Sequence, residues 1–387
     1  AYRDEVAMWR DTLPNNPDCW LAYNNLGVKL MQSGDIPTAE VYFIKALQLH
    51  PKYPDAMTNR GLIFWKRQQP QQAMHYYSAA RELRPHDTAA LVNIALIKAS
   101  QLQYDQAYAL IDEALELNPR NSSTFHNLGL IQQTHGRIDD AIASFSKALE
   151  LSSDFGMARY QRALAYQNTH QLQKAHDDYK RLLVDNPRSD DIRARYGLML
   201  ARLGQLDDAI VQLTEATRLN PLNIDARIDL AHALELIGDH KAAIAQYEFL
   251  VWMSPEYADG LARLGELMGM RGDAAKAVEY YTQSLQANAN QPRVLNNLAW
   301  ILATDASQRD PARALQLAEQ AVAADTMRDA GILDTLAVAY AVNGRYEEAL
   351  ATWEHASARA RETGETLLLS AIREHIATYI PDAAPAR

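Results

Sequence analysis

The sequence predicts an all-α fold, a right-handed superhelical solenoid of about ten helix-turn-helix repeats closed by a C-terminal capping helix. Three observations predict it. Prolines stand at 17, 51, 85, 119, 187, 221 and 255, every gap being 34 residues or twice 34, with Ser153 in the skipped place. Twenty-two residues after each of these positions comes an alanine: Ala39, Ala73, Ala107, Ala141, Ala175, Ala209, Ala243 and Ala277. Ten residues after them stands a small residue (Gly27, Gly61, Ala95, Gly129, Ala163, Gly197, Ala231, Gly265), and twenty-six after them a large one (Phe43, Tyr77, Ile111, Phe145, Tyr179, Leu213, Tyr247, Tyr281).

Each element follows from packing. Two helices approach to about 8–10 Å only where small residues meet at the crossing, and bulky residues one turn away fill the space beside it. Proline cannot continue the second helix, so it ends one unit and opens the next. Gly34, Gly136, Gly204, Gly238 and Gly272 mark the turn inside the unit. Residues 1–19 fit a half-repeat, a second helix with Trp9 in the aromatic place and no first helix before it. Eight repeats in register fill 20–291. A ninth, 292–329, carries the insertion TDASQRDPARA, and a tenth, 330–363, returns to register with Gly344, Ala349, Trp353 and Ala356. Residues 364–380 read as the capping helix, with Leu368, Ile372, Ile376 and Ile380 on one stripe, and 381–387 as a flexible tail.

Composition bounds the function. At 387 residues the chain is too long for one compact core, and 48% hydrophobic with 22% charged residues is the balance of an ordered protein. A net charge of −10 with scattered Lys and Arg argues against a nucleic-acid partner. The single cysteine, Cys19, excludes an internal disulfide and a cysteine-based zinc site. No run of about 18 apolar residues is present to span a membrane. The chain opens Ala1-Tyr2-Arg3 without initiator methionine or signal peptide, as expected of a processed chain or a piece of a longer one.

The 34-residue pattern resembles the tetratricopeptide repeat (TPR) family over nearly the whole chain. The resemblance implies that first helices line a concave groove and that the place two residues before the small residue faces into it. That place holds Asn25, Asn59, Asn93 and Asn127, and asparagine returns at Asn297. A side-chain amide offers an acceptor and two donors, so it can pair with a passing backbone whatever its side chains. With repeats about 10 Å apart and extended chain advancing about 3.3 Å per residue, one asparagine meets a peptide at roughly every third residue. Such a column resembles the asparagine ladder of O-GlcNAc transferase; the same amides can instead bond neighbouring repeats. Three residues on, Val28, Leu62, Leu96, Leu130, Leu164 and Leu198 make an apolar column that either faces the groove or packs on the adjacent helix.

From the fifth repeat the ladder place changes to Gln161, Arg195, Asp229 and Arg263, and a second column appears at Arg159, Arg193 and Arg227. These arginines can take an anion or an acidic partner through their fork geometry, or pair internally with Asp191, Asp225 and Asp259. No match to the carboxylate clamp of chaperone-binding TPR proteins is present.

Catalytic signatures are missing from the chain. The eleven histidines are dispersed, with no HExxH; His170 and His176 flank a turn and read as surface residues. Ser144-Phe145-Ser146-Lys147 matches SxxK only within repeat register, and Arg271-Gly272-Asp273 spells an adhesion tripeptide around an ordinary turn glycine. There is no GxSxG, Walker loop or GxGxxG. The segment is therefore read as no enzyme, with no cofactor and no metal.

The ends resemble something narrower. YRDEVAMWRDTLPNNPDCWLAYNNLG at the start, and LNNLAWILATDASQRDPARALQLAEQAV with ILDTLAVAYAVNGRYEEAL near the close, are similar to the TPR region of bacterial relatives of the transmembrane-and-TPR O-mannosyltransferases. That resemblance implies an acceptor-recruiting region outside the cytoplasm (periplasmic), tethered to an upstream membrane glycosyltransferase domain; the alternative compartment is the cytoplasm. Three functions therefore compete: a protein- or peptide-binding module with an Asn ladder, an assembly scaffold using convex faces or ends, and a regulatory array binding anions at the Arg column.

Overall fold

A computed structural model describes residues 5–326 and 329–380, so the predicted tail at 381–387 and the first four residues of the half-repeat lie outside the described residues. Twenty-two α-helices and no strand occur among the described residues. The chain divides into two compact units, Ala1–Arg188 and Ser189–Arg387. The first contains α1 (Glu5–Asn15), α2 (Trp20–Gln32), α3 (Ile36–Leu49), α4 (Pro54–Lys66), α5 (Pro70–Leu83), α6 (Thr88–Ser100), α7 (Tyr104–Leu117), α8 (Ser122–Thr134), α9 (Ile138–Leu151), α10 (Gly156–Asn168) and α11 (Leu172–Asp185). The second contains α12 (Asp190–Arg202), α13 (Leu206–Leu219), α14 (Ile224–Leu236), α15 (His240–Met253), α16 (Ala258–Met270), α17 (Ala274–Ala287), α18 (Pro292–Thr304), α19 (Pro311–Ala324), α20 (Ala330–Val342), α21 (Tyr346–Thr363) and α22 (Thr366–Tyr379). Within each unit, even-numbered first helices pair with the odd-numbered helix that follows, and each pair packs on the next, giving a helical solenoid.

Small residues meet large ones at every crossing. The eight alanines from Ala39 to Ala277 are all 0% exposed. The glycines admit a ring where a methyl would collide: an added Cβ would stand 2.7 Å from Phe43 at Gly27, 2.5 Å from Tyr77 at Gly61 and 2.5 Å from Tyr281 at Gly265. Burying each of these rings contributes roughly 2–3 kcal/mol.

The turn between the two helices is the same in every register repeat. A backbone N–H reaches back over the turn to the helix before it, as from Asp35 to the Leu30 carbonyl at 2.9 Å and from Gln103 to that of Lys98 at 2.9 Å. This closure needs one residue in the left-handed region. Glycine supplies it at Gly34 and Gly136 (φ 90° and 81°), but Gln68, Leu102 and His170 take it with φ of 58°, 61° and 57°. After several turn glycines an aspartate caps the second helix, as Asp35 accepts from the Thr38 N–H and Asp239 from that of Ala242.

The last repeats keep the scheme despite the longer loop at 305–310. Trp353 of α21 is 0% exposed, and its Nε1 donates to Asp334 of α20 at 2.8 Å. The same carboxylate pairs with His375 of α22 at 3.0 Å, tying the final helix to the repeat beneath it. Of the predicted stripe on α22, Ile372 is buried and Leu368, Ile376 and Ile380 are half-buried.

Candidate functional site

Asn25, Asn59, Asn93 and Asn127 sit at equivalent places on α2, α4, α6 and α8, all half-buried. Each is two residues before the small residue that meets the second helix, so its side chain leaves the helix roughly 200° away from that contact. Their bonding differs. Asn59 Nδ2 donates to Oδ1 of Asn24 on the preceding first helix at 2.9 Å, and Asn24 is itself 4% exposed. Asn24 Nδ2 lies 3.4 Å from Asn25 Oδ1. Asn127 Nδ2 donates to the Ser123 carbonyl of its own helix at 2.8 Å, leaving its Oδ1 as an acceptor. The Asn93 amide has no hydrogen-bond partner among the described residues. In the second unit, Asn297 Nδ2 stands 3.4 Å from the Tyr281 hydroxyl. One rung is thus a strut between repeats, while Asn93 and Asn127 keep hydrogen-bonding capacity on a half-exposed face.

The neighbouring apolar column has two surroundings. Leu62, Leu96 and Leu130 are half-buried. Leu96 packs against the core of Leu91, Ile111 and Ile131, and Val28 against Phe43 and Ile63.

The arginines reach across their own repeat. Asp178 of α11, 4% exposed, accepts two hydrogen bonds from Arg162 at 2.8 and 2.7 Å, and Arg159 lies 3.6 Å from it. Arg193 donates to Gln212 Oε1 at 2.7 Å. Arg227 donates to Gln246 Oε1 at 2.7 Å with its guanidinium 3.7 Å from the Phe249 ring centre. The acceptor lies 19 residues after Arg159, Arg193 and Arg227 alike, on the second helix. In other repeats the same two places hold Tyr23 and Tyr42, which meet edge to face at 5.7 Å, or Leu91 and Leu110, which share one core. The column of acceptors (Asp178, Gln212, Gln246) was not singled out from the sequence. Its signal was there: the two columns change chemistry together.

The ladder-place arginines also have partners. Arg195 pairs with Asp191 at 3.2 Å, and Arg263 is held by Glu235 and, at 2.5 Å, by Glu266. Burial pulls the Arg263 guanidinium down, but those two carboxylates outweigh it and leave it above the usual arginine range. Burial lowers Arg227 and raises the Asp229 carboxyl. Among the described residues, no group of three or more His, Cys, Asp or Glu is placed to hold a metal ion, and no helix is long and apolar enough to cross a membrane. His170 occupies the left-handed turn position of its repeat.

The repeat geometry agrees with what comparison with known proteins finds. A family model described as tetratricopeptide repeat matches residues 24–88, 58–122, 160–221 and 200–258, just over half of the chain, and a second of the same description matches 110–143. The chain belongs to the tetratricopeptide repeat family. Superkiller complex protein 3 of Homo sapiens is 28% identical over 160 residues, covering 38% of this chain and 10% of that protein. Its Mus musculus counterpart is 27% identical over 155 residues with the same coverage, so the chain spans about a tenth of the length of these curated relatives. Among solved structures, the C-terminal part of a TPR repeat-containing protein from Cytophaga hutchinsonii is 16% identical, covering 62% of this chain and 99% of that one with a TM-score of 0.54. YrrB, a TPR protein with an unusual peptide-binding site, is 23% identical, covering 48% of this chain and 95% of its own at a TM-score of 0.44. TPR domains bind proteins or peptides, so membership suggests a protein-binding or scaffold role.

Proposed function

We propose that this chain is a peptide-binding TPR module whose first helices hold an extended polypeptide by its backbone, with Asn25, Asn93 and Asn127 as the principal rungs. The observation that carries the reading is the regular column of half-exposed amides in which Asn93 and Asn127 retain unsatisfied hydrogen-bonding groups. Backbone recognition of this kind is indifferent to guest sequence. The test is a random peptide library presented to the wild-type protein and to the triple variant Asn25→Ala, Asn93→Ala, Asn127→Ala. Asn59 is left in place because its loss would remove the shorter of the two hydrogen bonds of buried Asn24, and the double variant Asn93→Ala, Asn127→Ala, which leaves both of them, is the control for Asn25→Ala. Broad capture by wild type and weak capture by a variant of unchanged melting temperature supports the reading; equal capture by both overturns it.

Within this reading the module recruits acceptor polypeptides for a membrane glycosyltransferase outside the cytoplasm, supported by the two end sequences. The measurement is glycosyl transfer to groove-selected peptides by membranes carrying the parent protein. Transfer no greater than to unselected peptides would count against it. A scaffold reading draws on Trp252 at the end of α15, 74% exposed; concentration-dependent self-association lost in Trp252→Ser would favour it.

A further inference from the structure

In the second unit, a cleft of about 670 Å³ opens between α16, α18 and α20, with α17 behind it. That volume lies within the range of roughly 300–1,000 Å³ typical of ligand pockets. Trp300, Tyr281, Ile301 and Met270 give it apolar walls, and the amides of Asn296 and Asn297 stand beside them. Met270 is 69% exposed, and its thioether side chain is flexible and polarisable, able to mould itself to different guests. The amides make only long contacts: Asn296 Oδ1 has no donor among the described residues, Asn296 Nδ2 reaches Asn297 Oδ1 at 3.5 Å, and Asn297 Nδ2 reaches the Tyr281 hydroxyl at 3.4 Å.

Charge is available at the same place. The Arg293 side chain is 80% exposed, and its contact is with Glu266 at 3.7 Å. Glu266 already holds Arg263 at 2.5 Å, so Arg293 can accept a further carboxylate through its planar fork. The cleft also has an open side, since a Cβ built on Gly269 would meet nothing within 4 Å.

We propose that this cleft seats a large apolar side chain of an extended guest polypeptide, while Asn297 holds the guest backbone and Arg293 pairs with an acidic residue beside the anchor. The proposal rests on the peptide-binding reading and adds what that reading lacks, a preference for guest sequence. The aromatic and thioether walls select bulk, the amides select extended backbone, and the exposed guanidinium, held among the described residues only by a long contact to a carboxylate it shares with Arg263, selects a neighbouring negative charge.

The experiment screens a displayed library of short random peptides against the full chain, Gly269→Trp and Arg293→Gln. Gly269→Trp adds bulk to the cleft from a position where a Cβ meets nothing within 4 Å, and Arg293 lies on the surface, so both variants should melt with wild type. Wild type is expected to enrich Phe, Trp or Leu with Asp or Glu nearby. Gly269→Trp should bind those peptides about tenfold more weakly and lose the apolar enrichment, while Arg293→Gln should lose only the acidic one. If Gly269→Trp fails to fold, Arg293→Gln decides alone. Peptide capture with the same preferences in wild type and both variants overturns the inference and leaves the backbone-reading module standing. Capture of no peptide by wild type overturns that reading and the inference together.

Discussion

Gly129 of α8 lies so close to Phe145 of α9 that a Cβ at Gly129 would stand 2.4 Å from the ring edge. No real Cβ contact is this short, so either the ring or the helix would have to move. Overpacking of this kind costs about 1–3 kcal/mol, against about 1 kcal/mol of helix propensity gained by replacing glycine. Ala163 with Tyr179 and Ala231 with Tyr247 occupy the same two places elsewhere, so a ring can turn to admit a methyl. Gly129→Ala is therefore expected to destabilise by about 1 kcal/mol, and adding Phe145→Ile, which copies Ala95 with Ile111, should restore part of the loss. Urea denaturation of the single and double variants measures both.

Leu102 takes the left-handed turn position with φ of 61° and is 72% exposed. A left-handed conformation costs a non-glycine residue about 1–2 kcal/mol, and glycine gives back about 0.4–1 kcal/mol through the freer unfolded chain. Leu102→Gly is predicted to stabilise by about 0.5–1 kcal/mol. A lower denaturation midpoint for this variant would contradict the strain argument.

Asp178 is the buried acceptor of the Arg162 fork, with Arg159 beside it. Burial alone would lower the Arg162 pKa, but hydrogen bonding and charge at Asp178 raise it overall. Asp178→Ala leaves the half-buried Arg162 guanidinium with Ser146 as its remaining hydrogen-bond partner, and is expected to cost about 2–3 kcal/mol, less than breaking a fully buried pair. The pair Asp178→Leu with Arg162→Met should recover most of this, and a double-mutant cycle gives the coupling.

Two histidines give opposite pH responses. His126, 4% exposed between Phe145 and Phe155, has its pKa lowered by burial from 6.5. Below 6.5 the unfolded chain takes up a proton that the folded one refuses, so stability falls with pH until the folded pKa is reached. His375 has its pKa raised from 6.5, chiefly by its hydrogen bond to Asp334, with burial opposing and Glu374 assisting. Its contribution is complete below 6.5 and is lost as pH rises through the folded value. Each slope is at most about 1.4 kcal/mol per pH unit. Denaturation across pH 5–8 should show His126→Leu removing the acid loss and Asp334→Asn removing the loss on the alkaline side.

The repeat itself was legible because its physics is local: a crossing needs a small residue, a turn needs glycine, and both recur at fixed intervals. Ala39 through Ala277 and the rings at Phe43 and Phe145 lie where the period puts them. The turns at Gln68, Leu102 and His170 show the limit of the rule, since the closing hydrogen bonds hold the conformation even without glycine. Partners were harder to read. Arg193 reaches Gln212 on the following helix, because the repeat folds back on itself and brings the residue 19 positions onward within reach. The Asn24 bond to Asn59 crosses from one repeat to the next, and Asp334 joins Trp353 to His375 over three helices. Such meetings depend on helix rotation, which the period constrains only loosely.

Arg193 with Gln212 and Arg227 with Gln246 close entirely inside residues 187–220 and 221–254, whereas Asn24 with Asn59 straddles a boundary. These two bonds are thus internal to their segments, although Asn223 also reaches back to Asp190 and Arg263 to Glu235 across the segment boundaries. Exchanging the order of the two segments, or duplicating one, leaves both Arg–Gln bonds intact, whereas a splice anywhere between Asn24 and Asn59 separates the two asparagines.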